Sequence, residues 1–419
     1  MTDDWTAGFL RVRTLEDAKR SLEEHWRPKP SAVEAPLERA GGRILAEDVV
    51  SRVDLPPFDR AAVDGYAVRA ADTFGADEGA PIELLCVGRL RAGDWPKLRI
   101  DKGKCAEIAT GAPMPKGADA VVMVEHTIAE RGAVRVYRAV APGENVVGRA
   151  SEVKRGEVVL RAGRRLTPQV IGTLAAVGVK KVKVFRRPAV AVISSGAELA
   201  RPGSRLAPGK VYDVNGPAIC EAVRACGCEP VYLGITRDEP EQVRSKIERG
   251  LASCEVVIIS GGSSAGRGDV VPSVASKMGK PGLLVHGLAM RPGKPTFVAV
   301  VGGKPVFGLP GYPVSALMVF DQLVAPYLRE LAGERQPMRE RVMARLGRRI
   351  LSAKGRRELV PVRLARRNGE LLAEPLLKGS GAITSLSTAD GYIEVPLGRE
   401  MVEEGEIVEV VLFGGAEGA

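Results

Sequence analysis

The sequence predicts a multidomain α/β protein: a central, open, mostly parallel sheet with helices on both faces, plus a β-rich domain, a mixed α/β N-terminal domain and a C-terminal β domain. Three observations carry this. Between Pro188 and Ser315, five β-branched apolar runs each end in a turn loaded with glycine, small polar groups or charge. Helical stretches separate the early runs, the alternation that builds parallel sheets. The flanking regions, about 53–139 and beyond 333, are short strands broken by Gly and Pro.

The runs follow in order. Run 190–193 enters Ser194-Ser195-Gly196-Ala197-Glu198, and run 231–235 enters Thr236-Arg237-Asp238-Glu239-Pro240. Run 256–259 enters Ser260-Gly261-Gly262-Ser263-Ser264-Ala265-Gly266, with Asp269 just beyond. Run 283–286 leads to Met290-Arg291-Pro292-Gly293-Lys294-Pro295, and run 305–309 to Pro310-Gly311-Tyr312-Pro313-Val314-Ser315. A helix over 314–331 closes the sheet. Upstream, Thr14 caps a helix over 18–26, and Thr167-Pro168 opens one over 169–177 that Gly178 stops. The domains expected are 1–52 with 140–186, 53–139, 187–333 and 334–419, the last resembling a β-barrel.

Composition narrows the function. With 419 residues, 45% of them hydrophobic, the chain can build several cores. No apolar stretch approaches the ~20 residues of a membrane span, and the acidic N-terminus lacks a signal-peptide core, so a cytoplasmic protein without membrane contact is expected. The net charge is +10, but aromatics are only 4% and no basic run is interleaved with stacking residues. That excludes the usual single-strand nucleic-acid surface and suits steering of a small anion. The six cysteines form no C-x-x-C pair and the three histidines are scattered. Zinc-site and His-triad patterns are therefore absent, and reduced structural thiols are expected.

In open α/β sheets ligands bind outside the carboxyl ends of the strands, where these turns fall. Backbone N–H groups beside Gly261 and Gly262, with the Ser263 and Ser264 hydroxyls, suit an anion cradle. The segment is neither a Walker A loop nor a Rossmann fingerprint. Glu198, Asp238 and Asp269 each lie past a different strand, so neighbouring strands would let them share a Mg²⁺ ion and its waters. Lys294 sits in a turn stiffened by two prolines, which fixes a cation beside a bound phosphate. Together these chemistries suggest a phosphorylated or nucleotide-like ligand held with Mg²⁺. Outside the sheet, Leu55-Pro56-Pro57-Phe58-Asp59-Arg60-Ala61-Ala62-Val63-Asp64-Gly65-Tyr66 presents Asp59 and Asp64 on backbone held extended by paired prolines.

Segment 55–69, Ala106-Glu107-Ile108-Ala109-Thr110-Gly111-Ala112-Pro113-Met114-Pro115, the glycine loop ending at Asp269, 291–295 and 308–315 occur in one order. In that order they resemble the molybdopterin molybdenumtransferase family, which includes the C-terminal domain of gephyrin, over almost the whole chain. The resemblance implies insertion of molybdate into adenylylated molybdopterin with release of AMP, aided by a divalent cation such as Mg²⁺. It also implies an elongated homodimer with an upstream molybdopterin adenylyltransferase as partner. By the same resemblance Asp59, Glu198, Asp238, Asp269 and Lys294 are catalytic, with the acids 198, 238 and 269 as metal ligands. Thr110, Glu125, Gly261, Gly262, Ser263, Ser264, Arg291, Gly311 and Ser315 bind substrate, and Arg356 with Ser380 matches an oxyanion-binding pair.

Three positions depart from the family pattern. Tyr312 stands where Pro-Gly-Asn-Pro is common, Ala150-Ser151-Glu152 where Gly-Glu-Asp is usual, and Arg291 where a second lysine is frequent. Two other readings stay open: an adenylyltransferase acting one step earlier, and a non-catalytic pterin-binding scaffold. Molybdate and tungstate, alike in size and charge, are not distinguished.

Overall fold

Strands buried on both faces read as continuous β-branched runs, and the central sheet is built from them. The computed structural model describes residues 12–262, 270–334, 339–352, 355–377, 379 and 381–413. Its central sheet has the order Glu229–Thr236, Ala189–Ser195, Val256–Ser260, Lys304–Leu309, Phe297–Val301, Gly282–His286. The first four strands are parallel. Phe297–Val301 runs antiparallel to both its neighbours, so Gly282–His286 points the same way as the first four. All five expected runs thus share a direction, and one strand not among them, Phe297–Val301, is inserted in reverse.

Every residue of Val256–Ser260 is buried, which requires helices above and below. On one face Asn215–Ala225 and the helices after Tyr312 pack Ile219, Val223, Val319 and Leu323 against Phe307. The helix Leu15–Glu23 joins that core through Leu15, Ala18 and Leu22. It begins where the cap chemistry says it should, with Thr14 Oγ1 accepting from Asp17 N at 3.1 Å. On the other face Pro240–Ser253 and Val270–Lys277 bring Val243, Ile247 and Val271 onto Ile193 and Ile259.

The closing helix is not continuous: Pro313–Val319 passes through a π-helical turn, Phe320–Val324, into Ala325–Leu331. Asp321 in that turn is held by Arg339 at 2.5 Å, and Arg339 also donates to the Tyr392 hydroxyl at 2.7 Å. Arg339 leads into a closed β-barrel. There Arg357–Arg367, Glu370–Pro375, Arg341–Leu346, Ile407–Leu412 and Gly391–Val395 pair in turn, and the last pairs back onto the first. Val360, Val362, Ile393 and Val410 fill it. The short strand Met290–Arg291 adds to it beside Arg357 and Glu358.

The chain divides into two compact units: residues up to Val33 together with those from Phe185 on, and Glu34–Val184. Residues 12–33 fold with the central sheet, whereas the expected N-terminal domain grouped them with 34–52 and 140–186. The second unit holds a six-stranded mixed sheet, ordered Ala120–Met123, Gly65–Val68, Lys104–Ile108, Ile82–Leu90, Ala133–Val136, Thr127–Glu130. Val68, Leu84, Val122 and Val134 form its core. Its helix Pro168–Ala176 is capped by Thr167 and followed by Gly178 at φ 77°.

Candidate active site

Five strands that point one way deliver their following turns to one place. A cavity of about 1260 Å³ opens there, entirely within the first unit. Of the expected site residues, Glu198, Asp238, Gly261, Gly262, Arg291, Lys294, Gly311, Ser315 and Arg356 line it. Ser263, Ser264, Asp269 and Ser380 lie outside the described residues.

The acidic wall comes from adjacent strands. Ser195 pairs with Thr236, two residues short of Asp238, and the Ser195 hydroxyl donates to Asp238 Oδ1 at 2.6 Å. Glu198 is exposed in the same cavity, and its carboxylate folds back over Gly196, where an added Cβ would lie 2.7 Å from both oxygens. Hard carboxylate oxygens of this kind fit Mg²⁺, which binds through one or two carboxylates plus substrate phosphate rather than in a protein cage. Among the described residues no three His, Cys, Asp or Glu side chains come together as a metal cluster.

The floor requires glycine. Gly261 has φ 97°, and a Cβ there would overlap the Ser195 carbonyl. Gly311 lies beside it, where an added Cβ would make an ordinary 3.7 Å contact with Gly261 Cα. Asn215 fastens these turns together, its Nδ2 donating to Ser260 Oγ and to Gly311 O, each at 2.8 Å. Ser260 spends its own hydrogen on Pro310 O at 3.0 Å, so it can only accept from Asn215. Asn215 Oδ1 is thereby turned away, buried and without a hydrogen-bond partner among the described residues.

Asp213, 2% exposed, anchors the same segment. It accepts from Ser194 Oγ at 2.8 Å, from Gly216 N at 2.9 Å and from the Tyr232 hydroxyl. Burial, reinforced by donation to Asp213, holds the Tyr232 phenol well above its ordinary range. Sequence reasoning missed Asp213 and Asn215. The available signal was an Asp three residues ahead of Gly216 at the start of an apolar helix, where a side-chain oxygen caps a backbone N–H.

The same cavity also carries cations. Lys294 is fixed by its backbone, since its carbonyl accepts from Leu288 N at 3.0 Å and Thr296 N at 2.9 Å. The Thr296 hydroxyl closes the same turn onto Gly293 O at 2.7 Å. Arg291 leans on Glu358 at 3.4 Å, so its charge is shared with a barrel carboxylate. Arg356 lines the cavity with Arg348 and Arg349, two cations the sequence reading did not single out. Ser315 is buried at the start of the helix after Tyr312.

In the second unit Asp59, Thr110 and Glu125 are exposed. Gly65 pairs with Ile108 and with Met123, so Asp64, Thr110 and Glu125 fall at one end of that sheet. Asp64 Oδ1 accepts from Thr110 N at 2.7 Å and Thr110 Oγ1 at 3.0 Å, which holds the carboxyl below its usual range. Asp59 Oδ1 accepts from Arg149 N at 2.7 Å, and the Asp59 carbonyl accepts from Met114 N at 2.9 Å.

A doubly wound sheet whose cavity gathers glycine turns, carboxylates and cations defines an α/β protein with a cavity suited to an anionic, phosphate-bearing ligand. Three family models match along the chain: the MoeA N-terminal region (domain I and II) at residues 13–178, a "probable molybdopterin binding domain" at 191–330, and the MoeA C-terminal region (domain IV) at 343–413. Molybdopterin molybdenumtransferase 2 of Mycobacterium tuberculosis is 35% identical, covering 90% of this chain and 95% of that protein. Molybdopterin molybdenumtransferase of Staphylococcus epidermidis is 32% identical, covering 96% and 95%. A solved molybdopterin biosynthesis MoeA protein from Pyrococcus horikoshii superposes with a TM-score of 0.82 at 44% identity, over 97% of this chain and all of that one. The chain belongs to the molybdopterin molybdenumtransferase (MoeA) family.

Proposed function

We propose that this protein is a transferase of molybdenum-cofactor biosynthesis that inserts molybdate, or tungstate, into adenylylated molybdopterin and releases AMP. Relatives that carry the transferase name match the chain over most of its length, which supports the reaction class. One observation carries the assignment to a site: a single cavity gathers Glu198, Asp238, Gly261, Lys294, Gly311, Ser315 and Arg356.

In this reading the glycine floor and Ser315 receive the pterin and its pyrophosphate, with Ser263 and Ser264 extending the cradle. Lys294 neutralises the phosphates, and Arg291, split between Glu358 and the cavity, orients rather than neutralises. Arg356 with Ser380 receives the tetrahedral oxyanion. Glu198, Asp238 and Asp269 would hold Mg²⁺, which supplies Lewis-acid polarisation of the phosphoanhydride when bound. Asp59, Thr110 and Glu125 complete substrate recognition from the β-rich domain of a homodimer acting in the cytoplasm, downstream of a molybdopterin adenylyltransferase.

The test is to incubate the purified protein with adenylylated molybdopterin, Mg²⁺ and either oxyanion, and to follow AMP together with metal-loaded pterin. Oxyanion-dependent AMP release is the expected result and identifies the preferred metal. Binding with no AMP release in any combination would sink the transferase reading in favour of a scaffold.

A further inference from the structure

Helix N-caps favour Ser, Thr, Asn and Asp, whose side-chain oxygens accept from the first free N–H groups. Tyr312 occupies that position before Pro313–Val319, with φ −73° and ψ 128°, and makes no side-chain cap bond. The chain thus forgoes local helix stability at the mouth of its own cavity. Its ring is 65% exposed, in a protein with only 4% aromatic residues. One ring edge faces Gly381, where an added Cβ would come into ordinary contact with Tyr312 Cδ1 at 3.5 Å and Cε1 at 3.7 Å. Pro310 and Pro313 restrict the backbone on either side, and the rest of the ring is left in the cavity beside Gly311.

We propose that Tyr312 is a specificity-determining residue that contacts the substrate, a stacking platform for a planar heteroaromatic ring. The inference rests on reading the cavity as the site of a pterin–nucleotide conjugate, whose two flat rings, pterin and adenine, offer the same chemistry. A ring stacked on Tyr312 has its phosphates within the same cavity as Lys294 and Arg356, so flat surface and charge are recognised together.

Calorimetric affinities for AMP, for an unsubstituted pterin and for inorganic pyrophosphate should be compared in wild type, Tyr312→Phe, Tyr312→Leu and Tyr312→Asn. Thermal unfolding of the ligand-free proteins accompanies them. Phe should stay within about twofold of wild type, while Leu and Asn lose about tenfold or more for the ring that stacks, the usual scale of aromatic stacking. Loss confined to AMP assigns adenine, and loss confined to pterin assigns the pterin. Asn should melt higher than wild type because it restores a cap. Unchanged ring affinities in Leu and Asn overturn the proposal, as does an equal loss for pyrophosphate, which has no ring. A wild type that binds neither AMP nor pterin overturns the reading of the cavity and this inference with it.

Discussion

Ser195 donates to Asp238 Oδ1 across 2.6 Å, tying the end of one central strand to the turn after its neighbour. The bond restrains the rotation of the Asp238 carboxylate while leaving Oδ2 and the second lone pair of Oδ1 to accept from a ligand. Ser195→Ala should cost about 1–3 kcal/mol for a bond to a charged group. It should also raise the Mg²⁺ concentration needed for half-maximal AMP release, while Asp238→Asn removes most of the activity. A titration of turnover against Mg²⁺ decides this. An Ala variant with the wild-type Mg²⁺ curve would limit Ser195 to a structural part.

Asn215 supplies both donors that hold Ser260 and Gly311 in place. Asn215→Ala takes the donor from the buried Ser260 hydroxyl and from the more open Gly311 carbonyl, an expected loss of about 1–3 kcal/mol. Asn215→Asp should be worse, since a buried carboxylate would face the Gly311 carbonyl. Melting curves rank the two, and pyrophosphate affinity should fall in both because the floor of the cavity loosens. An Asp variant as stable as wild type would contradict the amide orientation described.

The Tyr232 phenol is raised by burial and by its bond to Asp213. A group raised on folding contributes stability that is complete below its unfolded value, roughly pH 10, and is lost as pH climbs toward the folded value. Wild-type melting temperature should therefore fall more steeply above about pH 10 than that of Tyr232→Phe. Parallel slopes would show that folding does not raise the phenol.

Five of the six cysteines are buried and Cys86 is half-buried. Desolvation pushes Cys105 up to about 12 and Cys226 up to about 11, so both stay protonated and unreactive near neutral pH. A thiol reagent should label the native protein at Cys86 first and reach the others only on unfolding. Cys86→Ser should abolish the fast phase, and fast labelling of that variant would refute the assignment.

The sequence reading succeeded where one local cause dominates. Buried parallel strands need β-branched residues throughout, and 256–259 announces itself that way. Thr14 and Thr167 sit at the caps expected of them. It failed where the cause is tertiary. Phe297–Val301 leads to no polar turn and so lacks the signature of the other strands, although Gly302 and Gly303, with φ 56° and 75°, form a two-residue hairpin back into Lys304–Leu309. The π-helical turn at Asp321 is invisible locally because Arg339 comes from the next domain. Asp213 follows Val211–Tyr212, too short and exposed a strand to register as an apolar run.

The strand Met290–Arg291 leaves the central sheet region to extend the barrel, where Arg357 N bonds to Ala289 O at 2.9 Å. The Arg357 guanidinium then reaches Glu16 at 2.8 Å as well as Glu394 at 3.0 Å. Chain order is therefore a poor guide to where this protein can be cut. A chimera that swaps the barrel at residue 334 would separate it from a borrowed strand and from a salt bridge rooted near the N-terminus. One that exchanges Glu34–Val184 keeps those ties within a single parent. Modular exchange between relatives is best attempted along that second seam.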